Sequence, residues 1–520
     1  MSPATKVLIC GAGPTGLMMA CQLKRFGVDC IIIDSKEGPV KESRALAVQA
    51  RTLQIYEQMN IASAALQRGN IAGKGNIIIR KKRVEEISFE NIGKGLSAFP
   101  FLFILEQDKN EELLLEHLKA SGGTVHWQHT LLNFTQDSKG VTAVIEDETG
   151  HEQSVTADWL VGADGAKSVV RHLLQVPFSG DTYENIFYVA DTAMQWPWGH
   201  DGINVCLSSQ TFMAVFPMQG QDRYRVIGIF PKGFRQEDVK QFSDIQAAIE
   251  KQVGLNLYFT DPRWFSVYKL HHRCVDQFRV QNVFLAGDAA HVHSPVGGQG
   301  MNTGLQDAYN LAWKLSAVIK GQADEDLLNS YNEERLPLAQ ALVNTTDRAF
   351  SMITSASWPK RFFRLYILPI LLKLALQIPR LRTTIYRAGS QIGINYQKSS
   401  LSFSEDKHLI EAGSLVPFVN INSKLIDAHL KFEGFTILLF DTILPGDQMQ
   451  DLEKAFANAI QFIQITRNEN NEAAFEKFCV KRTALFVIRP DNYIAFASET
   501  ISLNAVRKYL RERMLLKIMD

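Results

Sequence analysis

Residues 7 to 20 read VLICGAGPTGLMMA, an apolar run broken by Gly11-x-Gly13-x-x-Gly16 and followed by a small, apolar helix start. The next apolar run, Ile31-Ile32-Ile33, ends at Asp34, 18 positions after Gly16. This order reads as strand, glycine turn, helix, strand: a βαβ unit of about 30 residues with an acidic residue near its end. Each part has a physical job. Gly11 permits the tight turn, Gly13 lets a pyrophosphate approach the backbone, and Gly16 lets the helix pack on the strand. The helix N-terminus offers free N–H groups and a partial positive charge. Asp34 accepts hydrogen bonds from a ribose diol, and Pro14, Thr15 and Ser35 are counted with it as cofactor-binding positions. The alternative, a merely structural glycine turn, lacks this context.

Two later stretches repeat the design: DWLVGADGAKSVVR at 158–171 and VFLAGDAAHVHSPVGGQGMNTG at 283–304. A nicotinamide dehydrogenase needs one such fingerprint. A chain that wraps an extended FAD needs several, because the flavin lies far from the adenine. Asp164 and Asp288 also read as plain turn formers ahead of helices. His291 and His293, two residues apart with no third ligand in view, read as loop-packing residues, so no metal is expected.

The chain has 520 residues, too many for one core, so two or three domains are expected. Lys plus Arg and Asp plus Glu both number 55, which leaves no global field to recruit nucleic acid. The six cysteines form no CxxC pair, so neither a zinc site nor a redox dithiol is suggested, and a cytoplasmic location is expected. MSPATKVLIC runs straight into the first strand without the features of a signal peptide. The most lipophilic segment, residues 366–378, is too short to span a bilayer and contains Pro369 and Lys373. Lys360, Arg361, Arg364, Arg380 and Arg382 flank it as they would an interfacial helix. The expectation is nevertheless a core-facing helix at a domain junction, with no integral membrane contact.

Strands are expected at 76–104, as a meander over 124–161, and at 185–231, including 211–218 and 224–230. Helices are expected at 108–120 and through 303–388. From about 401 the pattern changes to strands at 435–440, 459–465 and 483–488 with helices between them, a separate α/β domain.

The three glycine motifs, in this order, resemble the class A flavoprotein aromatic monooxygenases, those with the p-hydroxybenzoate hydroxylase fold. The tail, with Arg489-Pro-Asp491 in a strand–turn–strand setting, resembles that of the phenol and polyketide hydroxylase branch. The fold class so implied is α/β: a Rossmann-type FAD-binding domain interleaved with a β-sheet substrate domain, plus a C-terminal thioredoxin-like α/β domain. The expected boundaries are 1–182 for the FAD-binding domain with substrate-sheet strands at 76–104, 183–280 for the substrate sheet, 281–345 for the FAD-binding return, 346–400 for a helical connector and 401–520 for the tail.

The resemblance implies that Gly11, Gly13 and Gly16 cradle the FAD pyrophosphate and Asp34 holds the adenosine ribose. Arg44 and Gln107 contact the cofactor from the side. Asp164 sits near the pyrophosphate, and Gly287 and Asp288 near the ribityl or phosphate region. The loop from Pro295 through Gly298 lines the flavin ring, with N–H groups near Gly300, Met301 and Asn302 aimed at its pyrimidine oxygen, where they stabilise reduced flavin. NADPH or NADH would reduce FAD and O2 would add to give a C4a-hydroperoxyflavin, which hydroxylates an electron-rich phenolic or polycyclic aromatic molecule. The pocket must then be apolar and closed. Leu46, Phe212, Ala214, Phe216 and Pro295 are its candidate lining; Phe212, Ala214 and Phe216 share one strand face, Met213 and Val215 the other. A homodimer is the family's expectation.

Two departures stand out. Leu46 occupies the place where simple phenol hydroxylases carry an acidic residue, so no catalytic base is assigned. The tail has no CxxC, so it is expected to be structural. Trp196-Pro-Trp198 resembles part of a halogenase motif, without the rest of it. A Baeyer–Villiger or antibiotic-inactivating oxygenase on the same scaffold, and a non-catalytic FAD-binding protein, are the competing readings.

Overall fold

The computed structural model describes residues 4–40, 45–79, 82–89, 92–208, 211–230, 234–254, 256–294, 297–355 and 357–518. Strand Ala4–Cys10 is central to the first sheet. It runs parallel to Glu152–Gly162 on one side and Cys30–Asp34 on the other, and Val283–Leu285 and Val125–Trp127 extend the sheet outward, also parallel. Val7, Leu8 and Ile9 are wholly buried, as a continuous apolar run requires when both faces of a parallel sheet are covered. Helices Pro14–Arg25, Gln107–Ala120 and Gly300–Ile319 pack together over it. The meander expected at 124–161 is divided. Val125–Trp127 joins the parallel edge, and only Thr130–Asp137 and Gly140–Glu146 fold back antiparallel onto the first half of Glu152–Gly162.

The second sheet has eight strands, in the order His291–Val292, Phe259–Val275, Phe178–Met194, Arg223–Ile229, Phe212–Pro217, Gly202–Leu207, Lys74–Ile79 and Lys82–Ser88. All pairs are antiparallel except Gly202–Leu207 with Lys74–Ile79. Met213 and Val215 face a core closed by Ile245, Ile249 and Val253 of helix Phe242–Val253. Trp196 and Trp198 meet edge to face at 5.0 Å in that same core, a packing role and not a catalytic pair.

Two expected boundaries fall inside continuous elements. Residue 182 lies within strand Phe178–Met194, and residue 345 within helix Asn329–Thr354. The strand shifts register between Thr182 and Ile186, close to the expected boundary, and Phe350 of the helix packs on Phe187 and Ile229 of the second sheet.

The tail carries a five-stranded sheet ordered Phe403–Ser404, Ile494–Ser498, Ala484–Ile488, Phe435–Phe440 and Ile460–Ile465. It is locked to the rest by buried charge. Glu334 accepts hydrogen bonds from Arg489 at 2.5 and 2.9 Å, from Lys314 at 2.8 Å, from Asn310 at 2.7 Å and from Ser399 at 2.8 Å. Arg489 also holds Asp491, which accepts from Trp313 Nε1 at 3.1 Å. Burial would raise the Glu334 carboxyl, but Arg489 and Lys314 outweigh it and hold the group far below the usual carboxylate range.

The apolar segment near 366–378 faces the core, as expected, with only one of its sides. The run Trp358–Phe362, Phe363–Ile367 and Leu368–Gln377 is helical throughout, with a π-helical centre, and turns by 106° into Pro379–Gly389. Its inner side, Leu365, Leu372 and Leu376, packs on Ile77, Ile79 and Leu207 of the second sheet. Its outer side is open: Ile370 is 58% and Leu374 50% exposed. A helix laid over a sheet edge has only one side to bury, and this one is apolar on both. Among the described residues no single helix is long and apolar enough to cross a membrane.

The buried charge cluster makes a direct prediction. Removing one member of such a pair leaves an uncompensated charge and costs about 3–5 kcal/mol. Glu334→Gln should therefore lower the unfolding free energy read from urea denaturation by that order and shift the midpoint to lower urea, with earlier proteolytic release of the tail than in the parent.

Candidate functional site

The three glycine motifs meet at the C-terminal ends of the parallel strands. Gly11 (φ +102°) lies so close to the second motif that an added Cβ would stand 2.3 Å from the Ala163 carbonyl oxygen. Gly16 presses on Gly11 in the same way, with 1.8 Å to its carbonyl oxygen. Gly287 (φ +59°) and Gly304 of the third motif close on Thr15, at 2.5 and 2.4 Å from its Oγ1. Gly11 N–H donates to Ile33 at 2.8 Å, Ala163 N–H to Cys10 at 2.8 Å, and Ala286 N–H to Gly162 at 3.0 Å, so the strand ends are also stitched by backbone. Arg171, which closes the second motif, donates to the carbonyls of Ala289 and Ala166 at 2.9 and 2.8 Å.

Gly13 differs from its neighbours. It is the N-cap of helix Pro14–Arg25, and a Cβ there would meet no protein atom within 4 Å. The protein does not need this glycine for its own packing. Open space above a helix N-terminus is what an approaching pyrophosphate requires.

Asp34 is buried at the end of its strand. Its Oδ2 accepts from Ala12 N–H at 2.7 Å and its Oδ1 from Lys36 N–H at 2.9 Å, so it pins the glycine turn. Oδ2 also faces Lys36 Nζ at 3.4 Å, and Oδ1 keeps a second lone pair for a ribose hydroxyl. Ser35 beside it is exposed. Gln107 opens its helix and receives Ala45 N–H at 3.2 Å while donating to Glu111 at 2.9 Å, which ties the chain just beyond Arg44 to this helix. Arg44 and Pro295 themselves lie outside the described residues.

Asp164 is partly buried. Its Oδ2 accepts from Val170 N–H at 3.1 Å, and its Oδ1 is buried with no hydrogen-bond partner. Burial raises its carboxyl above the ordinary value. Asp288 stands exposed on the single turn Gly287–Ala289.

Helix Gly300–Ile319 begins at the third motif, and its first internal hydrogen bond is Thr303 N–H to Gln299 at 2.9 Å. The N–H groups of Gly300, Met301 and Asn302 therefore have no acceptor within the helix. The Asn302 side chain is a clamp. It accepts from Gln49 N–H and Thr52 Oγ1, both at 2.8 Å, and donates to Ala47 at 2.9 Å and Gly298 at 3.0 Å. Met301 receives Asn110 Nδ2 at 3.6 Å on its sulfur.

Two residues that sequence reasoning did not single out hold this loop from behind. Asp307 accepts from Gly287 N–H at 3.1 Å and from Arg335 at 2.6 Å, and pairs with His291 Nε2 at 2.7 Å. Burial opposes its charge, but Arg335 and His291 hold its carboxyl below the usual range. Helical spacing carried the only signal: Asp307 stands three residues after Gly304 on the same helix. His291 thus packs as expected. His293 donates through Nδ1 to the Ser294 carbonyl at 2.7 Å, while its Nε2 is buried without a partner beside Gly300.

These residues fit an FAD. An open glycine, an unpartnered carboxylate oxygen and a helix turn whose N–H groups have no intrahelical acceptor stand on three loops in contact, and among the described residues no atom lies within 4 Å of the open position at Gly13. When bound, that cofactor would supply the redox and oxygen chemistry, and the chain would hold and orient it.

Beside the third loop lies a cavity of about 490 Å³. Gly297 forms part of its lining, with Phe212, Ala214, Phe216 and Ile203 from the second sheet and Leu372 from the covering helix. The strand face bearing Phe212, Ala214 and Phe216 is thus the cavity face. Leu46 does not line it. It lies one layer behind, in a cluster against which Leu102, Ile203 and Phe216 pack.

Two predictions separate cradle from scaffold. Gly13→Ala should leave the apoprotein's melting temperature unchanged and weaken FAD binding at least tenfold in fluorescence titration, whereas Gly16→Ala should fail to fold stably. His293 is lowered from 6.5 to about 4 by burial. The unfolded chain therefore binds the proton first, and stability contributed by the neutral ring is complete above pH 6.5 and lost as pH falls towards 4. His293→Leu should flatten part of that acid-side slope in thermal melts.

Residues 4–346 match the family model described as "FAD binding domain". The 6-methylpretetramide 4-monooxygenase of Streptomyces rimosus is 36% identical over 351 residues, a match covering 67% of this chain and 62% of that protein. A flavin-dependent monooxygenase of Mycobacteroides abscessus is 31% identical over 513 residues, covering 95% of this chain and 97% of its own. Among solved structures, the OxyS anhydrotetracycline hydroxylase from Streptomyces rimosus superposes with a TM-score of 0.79 at 26% identity, covering 98% of each chain. Aklavinone-11 hydroxylase, solved with FAD and aklavinone, shares the fold with a TM-score of 0.81 at 22% identity, covering 99% of this chain and 100% of that one. With the cradle, the family model and a full-length relative in agreement, the chain belongs to the FAD-binding flavin-dependent monooxygenases.

Proposed function

We propose that this protein hydroxylates an extended, mostly apolar aromatic substrate, using FAD with NADPH or NADH and O2. The cavity carries the reading. Its volume suits a multi-ring molecule, and its lining joins the strand face of Phe212, Ala214 and Phe216 to Gly297 of the cofactor loop. Relatives named for 6-methylpretetramide and anhydrotetracycline support the same substrate class.

The wall is apolar with few polar groups, as orientation without hydration requires. Asn76 donates to Asn204 at 2.9 Å, and its own Oδ1 is buried without a partner, ready to accept from a substrate hydroxyl. No carboxylate lines the cavity among the described residues. The substrate ring must therefore be electron-rich without deprotonation by an acidic residue at the Leu46 position. Asp164, Asp34 and the turn at Gly300 would hold the cofactor, and Asn302 would fix the ring-side loop.

The tail is read as thioredoxin-like. Strand Phe435–Phe440 runs parallel to the edge strand Ile460–Ile465, Ala484–Ile488 and Ile494–Ser498 add as an antiparallel hairpin, and helices Gly446–Ala455 and Glu472–Lys477 connect the first three. All six cysteines are free, and Cys479 is the only one in this part, which supports a structural role and a cytoplasmic location. A homodimer is part of the same reading.

The test is anaerobic reduction of the FAD-loaded protein by NADPH and NADH, with phenolic and polycyclic quinone-type ligands. One polycyclic ligand should accelerate reduction many-fold, and Ala214→Trp, which fills the cavity, should abolish that acceleration while FAD stays bound. If neither donor reduces the flavin with any ligand, the reading is overturned.

A further inference from the structure

Among the described residues, the outer face of the helical run at 358–377 has no partner. Trp358, Phe362, Tyr366, Ile370 and Leu374 follow one another at i+4 spacing, and all are 45–70% exposed. Of the 19 exposed large hydrophobic residues among the described residues, 11 lie from Met352 to Ile385. Trp358 stacks on Phe362 at 5.8 Å and Phe362 tilts on Tyr366 at 5.2 Å, so the aromatic side is an ordered ridge. A contiguous exposed apolar ridge of this kind marks an interaction site.

Charge says what covers it. The whole chain is balanced at 55 positive and 55 negative residues, yet between Asp347 and Glu405 there are nine basic residues and no acidic one. Arg364 turns inward onto the carbonyls of Ser355 and Ser208, and Lys373 pairs with Glu85 at 2.7 Å. Lys360, Arg361, Arg380 and Arg387 are exposed and make no ion pair among the described residues. Aromatic and aliphatic residues in a ridge, flanked by unpaired cations, match the interface of an anionic bilayer. A second copy of this element would set like charges face to face.

We infer that the helical element Trp358–Gly389 docks this protein on the surface of an anionic phospholipid bilayer, lying in the interface without crossing it. After the bend of 106° at Gln377 the apolar exposure continues into the next helix, where Leu381 is 45% exposed. The inner sides of the same helices, through Leu368, Leu372, Leu376 and Ile385, line the cavity, so one element faces both bilayer and cavity. That the bilayer supplies an apolar substrate rests on the hydroxylase reading; docking itself does not.

The test is flotation of the FAD-loaded protein with vesicles of phosphatidylcholine alone and of phosphatidylcholine with 30% phosphatidylglycerol. Binding should be at least tenfold stronger to the anionic vesicles and weaken with added salt. The double variant Ile370→Glu with Leu374→Glu should lose it, and Lys360→Glu with Arg361→Glu should reduce it several-fold. All four positions are exposed, and an unchanged flavin spectrum and melting temperature would confirm that the fold is intact. No binding to anionic vesicles at low salt overturns the inference, as does binding unaltered by the apolar double variant. A dimer in solution that Ile370→Glu with Leu374→Glu converts to monomer would overturn it too, because the ridge would then be covered by a second copy.

Discussion

Backbone-to-backbone contact between three strand ends is the constraint on which the rest depends. Ala163 reaches Gly11, Gly11 reaches Gly16, and Thr15 is enclosed by Gly287 and Gly304, each at a distance no Cβ would allow. Only glycine permits such approach, so loops separated by more than a hundred residues form one continuous shelf. Gly13 sits on that shelf with open space above it, which distinguishes a surface shaped for a ligand from one shaped for packing.

Behind the shelf, ionic groups replace apolar packing. Asp307 joins Gly287, His291 and Arg335, and Arg335 also donates to Tyr396 at 3.0 Å. Two helix turns further on, Lys314 reaches Glu334, and Glu334 reaches Arg489 of the tail. The helix that begins at the ring-side loop therefore ends at the joint with the tail. Such buried charge confers a defined geometry more than raw stability, since each member must find its particular partner.

The second sheet answers a different requirement. Its two faces do opposite work, Met213 and Val215 filling a closed core while Phe212, Ala214 and Phe216 wall a cavity. The helical run at 358–377 completes that wall and leaves its other side to the surroundings. An element that is apolar on both sides must be covered on both, or meet something other than water.

The amino-acid sequence by itself determined the parallel sheet, the glycine shelf and the separate α/β tail. These rest on local order: apolar runs ending in glycine, an acidic residue at a fixed distance, and period-two alternation. Asp34, Asp164 and Asn302 were legible for the same reason. Only the tertiary structure decided which face of the 212–217 strand sees the cavity, because alternation defines two faces without ranking them. It alone moved Leu46 one layer behind the wall, divided the 124–161 meander between two pairings, and gathered Asp307, Glu334 and Arg489, whose partners lie far along the chain. The exposed ridge at 358–377 was only half legible: its flanking cations fit an interfacial helix, but a short apolar helix reads as core, and nothing local to it says that the cavity needs only one of its sides.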